Sequence, residues 1–292
     1  PNAQALYLQA VKTSTDGSGT CLPFFPNNTT LSISMGSQCI NPTTCSSQQV
    51  SMTYNNTSST TATTPIASNP AAPATPVNYT PLNVTFLGAD SMAPIALTSA
   101  DVGSFRLWVR YTMPTSGEIM QLTGSNQFTV RPFGFHIDPT GNPAAANASG
   151  TVFKKAGEAF TTVVTAKQWT SAADTNSDGI PDSNAAISGN TTTLSFGRET
   201  VAEAVTLSRT LTQPATGATG TLGGTPLVSS FTNGVGSTSV NFSEVGIITL
   251  TGTLNSGNYL SGGQTVTTTT GNVGRFYPDH FTLTSSSVTP AC

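Results

Sequence analysis

The 292 residues carry 10 Lys or Arg against 13 Asp or Glu, a net charge of −3, and only 8% of the chain is charged, against about 25% in ordinary soluble domains. So small and balanced a charge leaves no electrostatic footprint for nucleic acid or an anionic membrane, and both are set aside as partners. Solvent contact must rest on Ser, Thr, Asn and Gln, a habit of secreted β-rich proteins more than of cytoplasmic enzymes. No uninterrupted apolar run approaches the roughly 20 residues needed to span a bilayer. The chain opens at Pro1 with no signal segment, so any export signal or anchor is expected to lie outside it.

In chain order, Ala5 to Val11 alternates as a strand, and Cys21 follows among Leu22, Phe24 and Phe25, neighbours that suggest burial. Cys39 and Cys45 flank INPTT, whose Asn-Pro turn brings the two sulfurs within reach of each other. An oxidised pair is expected, either Cys39 with Cys45 or one of them with Cys21, while Cys292 at the chain end is free to pair with something beyond it. Neither C-x-x-C nor C-x-x-C-H occurs, so the cysteines read as structural. Asn55 to Pro81 holds five prolines and no charge, and reads as an extended surface loop. Its Asn-x-Ser/Thr triplets, such as Asn56-Thr57-Ser58, are expected by chance in so Thr-rich a chain.

Strands resume at Leu82 to Leu87, Phe105 to Tyr111 and Phe128 to Val130, with no sustained helical period. The turn-rich residues 139 to 148 mark the expected start of a second domain, giving units 1–138 and 139–292. Its strands are expected at Phe160 to Trp169, Thr192 to Phe196, Val205 to Leu211, Ser237 to Phe242, Ile247 to Leu254 and Thr265 to Thr269; Val201 to Leu207 reads alternatively as a short helix. Short strands punctuated by Gly-rich turns predict an all-β chain of two tandem antiparallel β-sandwiches of immunoglobulin-like architecture.

An internal repeat supports the count of two. Asp101-Val102-Gly103 precedes SFRLWVRY and Glu244-Val245-Gly246 precedes IITLTGTL; each then leads to an Arg-aromatic exit, VRPFGFHI at Val130 to Ile137 and GRFYPDHF at Gly274 to Phe281. Val102 lies 29 positions before Arg131, and Val245 lies 30 before Arg275. With the glycines aligned, Phe105, Leu107, Val109 and Tyr111 match Ile248, Leu250, Gly252 and Leu254, which puts one apolar face on each strand. Alignment on the arginines also sets His136 against His280, the two histidines of the chain, which reads as a shared scaffold role with His280 packed at a domain junction.

One stretch carries definite chemistry. Asp174-Thr175-Asn176-Ser177-Asp178-Gly179-Ile180-Pro181-Asp182 places side-chain oxygens at loop positions 1, 3, 5 and 9, glycine at 6, and the Ile180 carbonyl at 7. A hard cation takes six to eight oxygens, and alternate residues of a tight loop converge on one centre. Asp174, Asn176, Asp178, Ile180 and Asp182 are therefore the expected ligands of a structural Ca²⁺. Position 12, Ala185, lacks the bidentate Glu of an EF-hand, so the loop is closer to the short calcium loops of thrombospondin type 3 and dockerin repeats. The competing reading is an exposed polar β-turn, since Asp, Asn, Gly and Pro are ordinary turn formers.

RPFGF, the acidic-Val-Gly strands and NVGRFYPDHFTLT together resemble the conserved domain of MshQ-like proteins, large surface proteins associated with mannose-sensitive haemagglutinin (type IV) pilus biogenesis. The resemblance runs from LYLQAV near residue 6 to Pro290-Ala291-Cys292. It implies a bacterial cell-surface location, and a family sequence that continues past the PDHF block.

No Gly-x-Ser-x-Gly elbow or zinc-type His cluster appears, so no catalytic residue is expected. The expected function is an extracellular structural or adhesive protein that builds a stalk or fibre, with other surface or pilus proteins, or further copies of itself, as partners. The alternative is a calcium-dependent adhesin that binds a glycan through loop aromatics such as Phe276, Tyr277 and Phe281. A surface hydrolase built on Asp279 and His280 is a distant third.

Overall fold

The computed structural model describes residues 4–46, 49–121 and 126–282. The first part of the chain forms β1 (Gln4–Leu8), β2 (Val11–Thr13), β3 (Cys21–Pro23), β4 (Thr29–Asn41), β5 (Val50–Asn55), β6 (Thr61–Pro65), β7 (Ala67–Asn69), β8 (Thr80–Phe86), β9 (Ala93–Ser99), β10 (Gly103–Thr112), β11 (Ile119–Gln121) and β12 (Phe128–Val130). The second forms β13 (Gly134–Pro139), β14 (Phe160–Lys167), β15 (Val205–Gln213), β16 (Leu222–Gly224), β17 (Leu227–Val228), β18 (Phe231–Thr232), β19 (Val235–Phe242), β20 (Gly246–Leu254), β21 (Thr267–Thr269) and β22 (Val273–Phe276). Helix is confined to two 3₁₀ turns, Ser171–Ala173 and Tyr259–Ser261.

In the first sandwich, the sheet β1-β9-β5-β6 faces a sheet in which β10 and β4 are central, flanked by β11, β12, β8 and β7. Period-2 alternation decides the inner face: β5 buries Val50, Met52 and Tyr54 while β9 buries Ala93, Ile95 and Leu97. Opposite them, β4, β8 and β10 supply Ile33, Met35, Leu82, Val84, Phe86, Phe105 and Leu107 to one core. Side chains of this size contribute roughly 1.5–3 kcal/mol each when fully buried.

In the second sandwich, β13-β14-β19 carries β16 and β18 on one sheet and β15-β20 carries β17, β21 and β22 on the other. Phe135, Phe160, Val164, Val240 and Phe242 meet Val205, Leu207, Ile248, Leu250, Val273 and Phe276 in a single core. Here aromatic rings do most of the filling, with Phe276 against Phe153, Phe160 and Phe242 at centroid distances of 5.6, 5.6 and 5.2 Å.

Both repeat openings build the same device. Asp101 Oδ1 accepts the Val102 N–H at 2.8 Å and Glu244 Oε1 accepts the Val245 N–H at 2.9 Å. Each following glycine has a left-handed φ, +145° at Gly103 and +129° at Gly246, and at Gly246 an added Cβ would lie 2.2 Å from the Gln213 carbonyl oxygen. β10 then pairs with β12 (Gly103 opposite Val130) and β20 with β22 (Gly246 opposite Phe276). Phe105, Leu107, Ile248 and Leu250 are all buried.

The register also corrects the alignment of the exits. Val130 and Phe276 hold equivalent places, so Arg131 and Arg275 are offset by two residues. His136 lies half-buried on β13, which pairs with β14 in the second sandwich, whereas His280 is exposed at 73% of its side chain and is not packed at a junction. The expected unit edge at 138/139 falls at the end of β13, whose Phe135 and Ile137 enter the second core.

Other local expectations also yield to tertiary pairing. Asn55 to Pro81 contains β6 and β7, with Ile66 and Asn69 buried, because its Thr-rich part finds β5 and β4 as partners. Gln38 holds the proline-rich remainder: buried on β4, its side-chain amide donates to the Ala71 and Pro73 carbonyls at 3.1 Å each. Cys21 is exposed, because β2 and β3 form a two-stranded ribbon off both sheets. Thr192 to Phe196 is not a strand but a turn-rich segment with Phe196 buried, and Val205 onward is β15. Cys39 is bonded to Cys45, with Cα atoms 5.7 Å apart; Cys292 lies outside the described residues.

Candidate functional site

The acidic loop grows out of the end of β14. After Trp169 the chain turns through 171–173, and the Asp182 N–H donates to the Ala173 carbonyl at 3.0 Å, closing a small loop around Asp174. Ser177 and Gly179 take left-handed conformations, φ +59° and +77°, which let the backbone fold back over that carboxylate. Asp174 is buried. Its Oδ2 accepts the Trp169 indole N–H at 2.7 Å and the Gly179 N–H at 3.1 Å, while Oδ1 accepts the Asp178 N–H at 3.0 Å. The Trp169 bond, ahead of the two backbone donors, holds its carboxyl below the ordinary range.

The other expected ligands face the same loop differently. Asp178 accepts the Ile180 N–H at 2.8 Å and the Asn176 side-chain amide at 2.9 Å. Asp182 accepts the Thr175 N–H at 3.1 Å and hydroxyl at 2.8 Å. The Ile180 side chain is exposed. Every donor in the set is oxygen, which suits a hard cation, and each carboxylate offers about four lone-pair sites, more than these bonds use. The described residues nonetheless contain no cluster of three or more His, Cys, Asp or Glu side chains set to hold an ion.

The loop also walls a cleft of about 930 Å³ between the two sandwiches. From the first come Leu6, Leu97, Leu107, Phe128 and Val130, where the edges β1 and β12 leave the inner face open; from the second come Gln168, Trp169, Ser177, Asp178 and Gln264. Arg131 crosses the gap. Its guanidinium donates to the Gly179 carbonyl at 2.9 Å and to Gln264 Oε1 at 3.4 Å, and burial pushes its pKa down from the ordinary arginine value. Nothing in the sequence connects Arg131 to the acidic loop, since the two lie 48 positions apart.

The remaining candidates are dispersed. His136 is lowered from the ordinary histidine value first by burial and then by Lys167. His280 pairs with Asp279 at 3.0 Å, and Asp279 with Lys155 at 3.3 Å, all three exposed. Phe276 is a core residue and Phe281 is 93% exposed, so these aromatics share no binding face.

Residues 1–125 match the model of the first Ig-like domain of a family described as a domain of unknown function, DUF6701; residues 131–241 match its second domain and 244–292 its third. The chain carries the three DUF6701 domains. The second and third DUF6701 segments are not separate sandwiches: β15 and β17 from one pair in a single sheet with β20, β21 and β22 from the other, over one core. No curated protein matches the chain. Among solved structures, invasin, a bacterial integrin-binding protein, aligns at 14% identity over 96% of this chain with a TM-score of 0.25, and the chain spans 40% of that protein's length. No helix among the described residues is long and apolar enough to cross a membrane.

Proposed function

We propose that this chain is an extracellular structural and adhesive module of the bacterial cell surface, acting in series with other surface or pilus proteins, as its resemblance to MshQ-like proteins suggests. The observation that carries the reading is the serial build itself: two immunoglobulin-like sandwiches joined head to tail, low in charge, with a cystine of the kind that persists in oxidising compartments. The two units we propose are the sandwiches, each presenting loops at its ends while the sheets carry load, and the module performs no catalysis. Fractionation of the native cells with an antibody to the chain tests this; the protein is expected at the cell surface, and recovery in the cytoplasm with Cys39 and Cys45 as thiols overturns it.

We further propose that Asp174, Asn176, Asp178, the Ile180 carbonyl and Asp182 bind one Ca²⁺ that stiffens the loop, their oxygens turning from the N–H and O–H donors they accept here toward a common ion. If Ca²⁺ binds only the folded state, calcium at about a hundredfold over its Kd adds roughly 2.7 kcal/mol, which a chelator removes. Asp178→Ala is expected to abolish that response. A melt identical in calcium and in chelator, for wild type and variant alike, leaves the loop a polar turn. A second reading, glycan binding, is favoured by the cleft, whose wall carries Trp169 together with Arg131, Gln168 and Gln264. A glycan array run with and without calcium separates the two, since only an adhesin retains a sugar there.

A further inference from the structure

The two sandwiches meet on the side of the joint formed by the Cys39–Cys45 loop. Within that loop, Asn41 Oδ1 accepts the Thr200 N–H at 2.8 Å. Next to the cystine, Thr44 Oγ1 accepts from Arg198 at 3.4 Å, and Ser46 Oγ accepts from the same guanidinium. A few residues before β10, the buried Asp101 carboxylate receives the Ser195 N–H at 3.0 Å as well as its own Val102 N–H. The Gln168 side-chain amide donates to the Ala100 carbonyl. Val102, although it belongs to the first repeat's opening, is buried in the second sandwich's core.

The partner segment, 195–200, is itself fixed from behind. Phe196 is fully buried and packs on Phe135, Phe231 and Tyr259. Glu199 points the same way, accepting the Tyr259 hydroxyl at 2.7 Å and the Gly197 N–H at 2.8 Å. One side of this segment is therefore nailed into the second core while its Ser195 and Thr200 N–H groups and the Arg198 fork face the first sandwich. Ser195 is buried, so its N–H incurs the full desolvation penalty if the Asp101 carboxylate is withdrawn, and it is this bond that makes the contact costly to open; the exposed Thr200 N–H can turn to water instead.

We propose that the Cys39–Cys45 loop and Asp101 form a docking face whose occupant is segment 195–200 of the same chain, and that the disulfide serves to hold this face in shape so that the two sandwiches behave as one rigid rod. The cystine closes a loop of few residues and so fixes Asn41 and Thr44 where Thr200 and Arg198 need them, while Asp101 supplies a charge-assisted bond that a neutral acceptor matches less well. Rod stiffness is thereby encoded in the seven-residue loop 39–45 rather than in the linker near Arg131. The proposal concerns the joint alone and stands apart from the assignment to pili and from calcium.

The test uses the whole 292-residue chain in an aligned medium, with residual dipolar couplings and amide exchange read residue by residue. In the wild type one alignment tensor is expected to fit both sandwiches, with Ser195 and Thr200 amides protected. Cys39→Ser with Cys45→Ser is expected to need two tensors and to speed Thr200 exchange about tenfold, while Leu250, deep in the second core, is unchanged. Arg198→Ala, at an exposed position outside both cores, reads the same contact from the other side if the cysteine variant does not fold, and is expected to shift the same amides. Two tensors already in the wild type overturn the rigid joint. One tensor and unchanged Ser195 and Thr200 exchange, in the cysteine variant if it folds and otherwise in Arg198→Ala, overturn the docking role of the loop.

Discussion

The two sandwiches start from one plan and spend their special residues differently. Both open on an acidic side chain that caps the next N–H and on a glycine with left-handed φ, yet Asp101 also reaches the Ser195 N–H across the joint. The first sandwich mixes Met and aliphatic side chains in its core and has a cystine and the buried Gln38; the second packs a cluster of phenylalanines and carries the acidic loop. The difference teaches that the repeated opening is scaffold, while two features found in one copy only, the cystine loop and the acidic loop, sit at the joint and at the cleft beside it.

The largest effect on that comparison comes from emptying either core. Phe105→Ala and Phe276→Ala are each expected to cost about 3–5 kcal/mol. Calorimetry decides whether the units are thermodynamically separate: each variant then lowers one transition and leaves the other, whereas coupled units shift together. Gly246→Ala is expected to cost about 3 kcal/mol, because it adds a left-handed strain to a clash with the Gln213 carbonyl; an unchanged denaturant midpoint means the opening of β20 is looser than that of β10.

A smaller effect separates the two copies by pH. Burial raises the Glu199 carboxyl above its ordinary value of 4.5, against the opposing bond from Tyr259. Its contribution to stability is therefore fully present below about 4.5 and is lost as pH rises through the raised value, with a slope of at most about 1.4 kcal/mol per pH unit. Glu199→Gln is expected to remove that decline, read as the wild-type minus variant difference in Tm between pH 4 and 7; among the described residues of the first sandwich no carboxyl is raised in this way. The smallest effect is at His280, where exposure predicts that His280→Ala changes stability by less than about 0.5 kcal/mol. A larger loss restores the packed role that alignment on the arginines suggested.

Much of the repeat was legible because it is local. Phe105, Leu107, Ile248 and Leu250 alternate with polar neighbours, and a period of two assigns their face without knowledge of the partner strand. The Cys39–Cys45 pair was among the expected pairings for the same reason, since a six-residue separation with an Asn-Pro turn brings two Cα atoms into range. The exits were misread because two alignments of the same residues, one on glycine and one on arginine, differ by one position, and the hydrogen-bond register, which sets Val130 level with Phe276, follows neither. The acidic loop was legible as a run of oxygen donors; that Arg131 and Trp169 brace it was not.

What the sequence determined by itself is therefore the all-β class, the twofold repeat, the apolar face of each central strand and the oxygen-rich loop, all of which follow from side-chain chemistry at separations of a few residues. Tertiary structure alone decided that β13 belongs to the second sandwich, that the second and third DUF6701 segments share one core, and that 195–200 docks on the cystine loop. Those contacts join residues some 25 to 160 positions apart, and no periodicity carries such information. They exist because a half-exposed apolar face or an unbonded N–H is costly wherever it lies, and the folded chain satisfies it with whatever group the topology brings alongside.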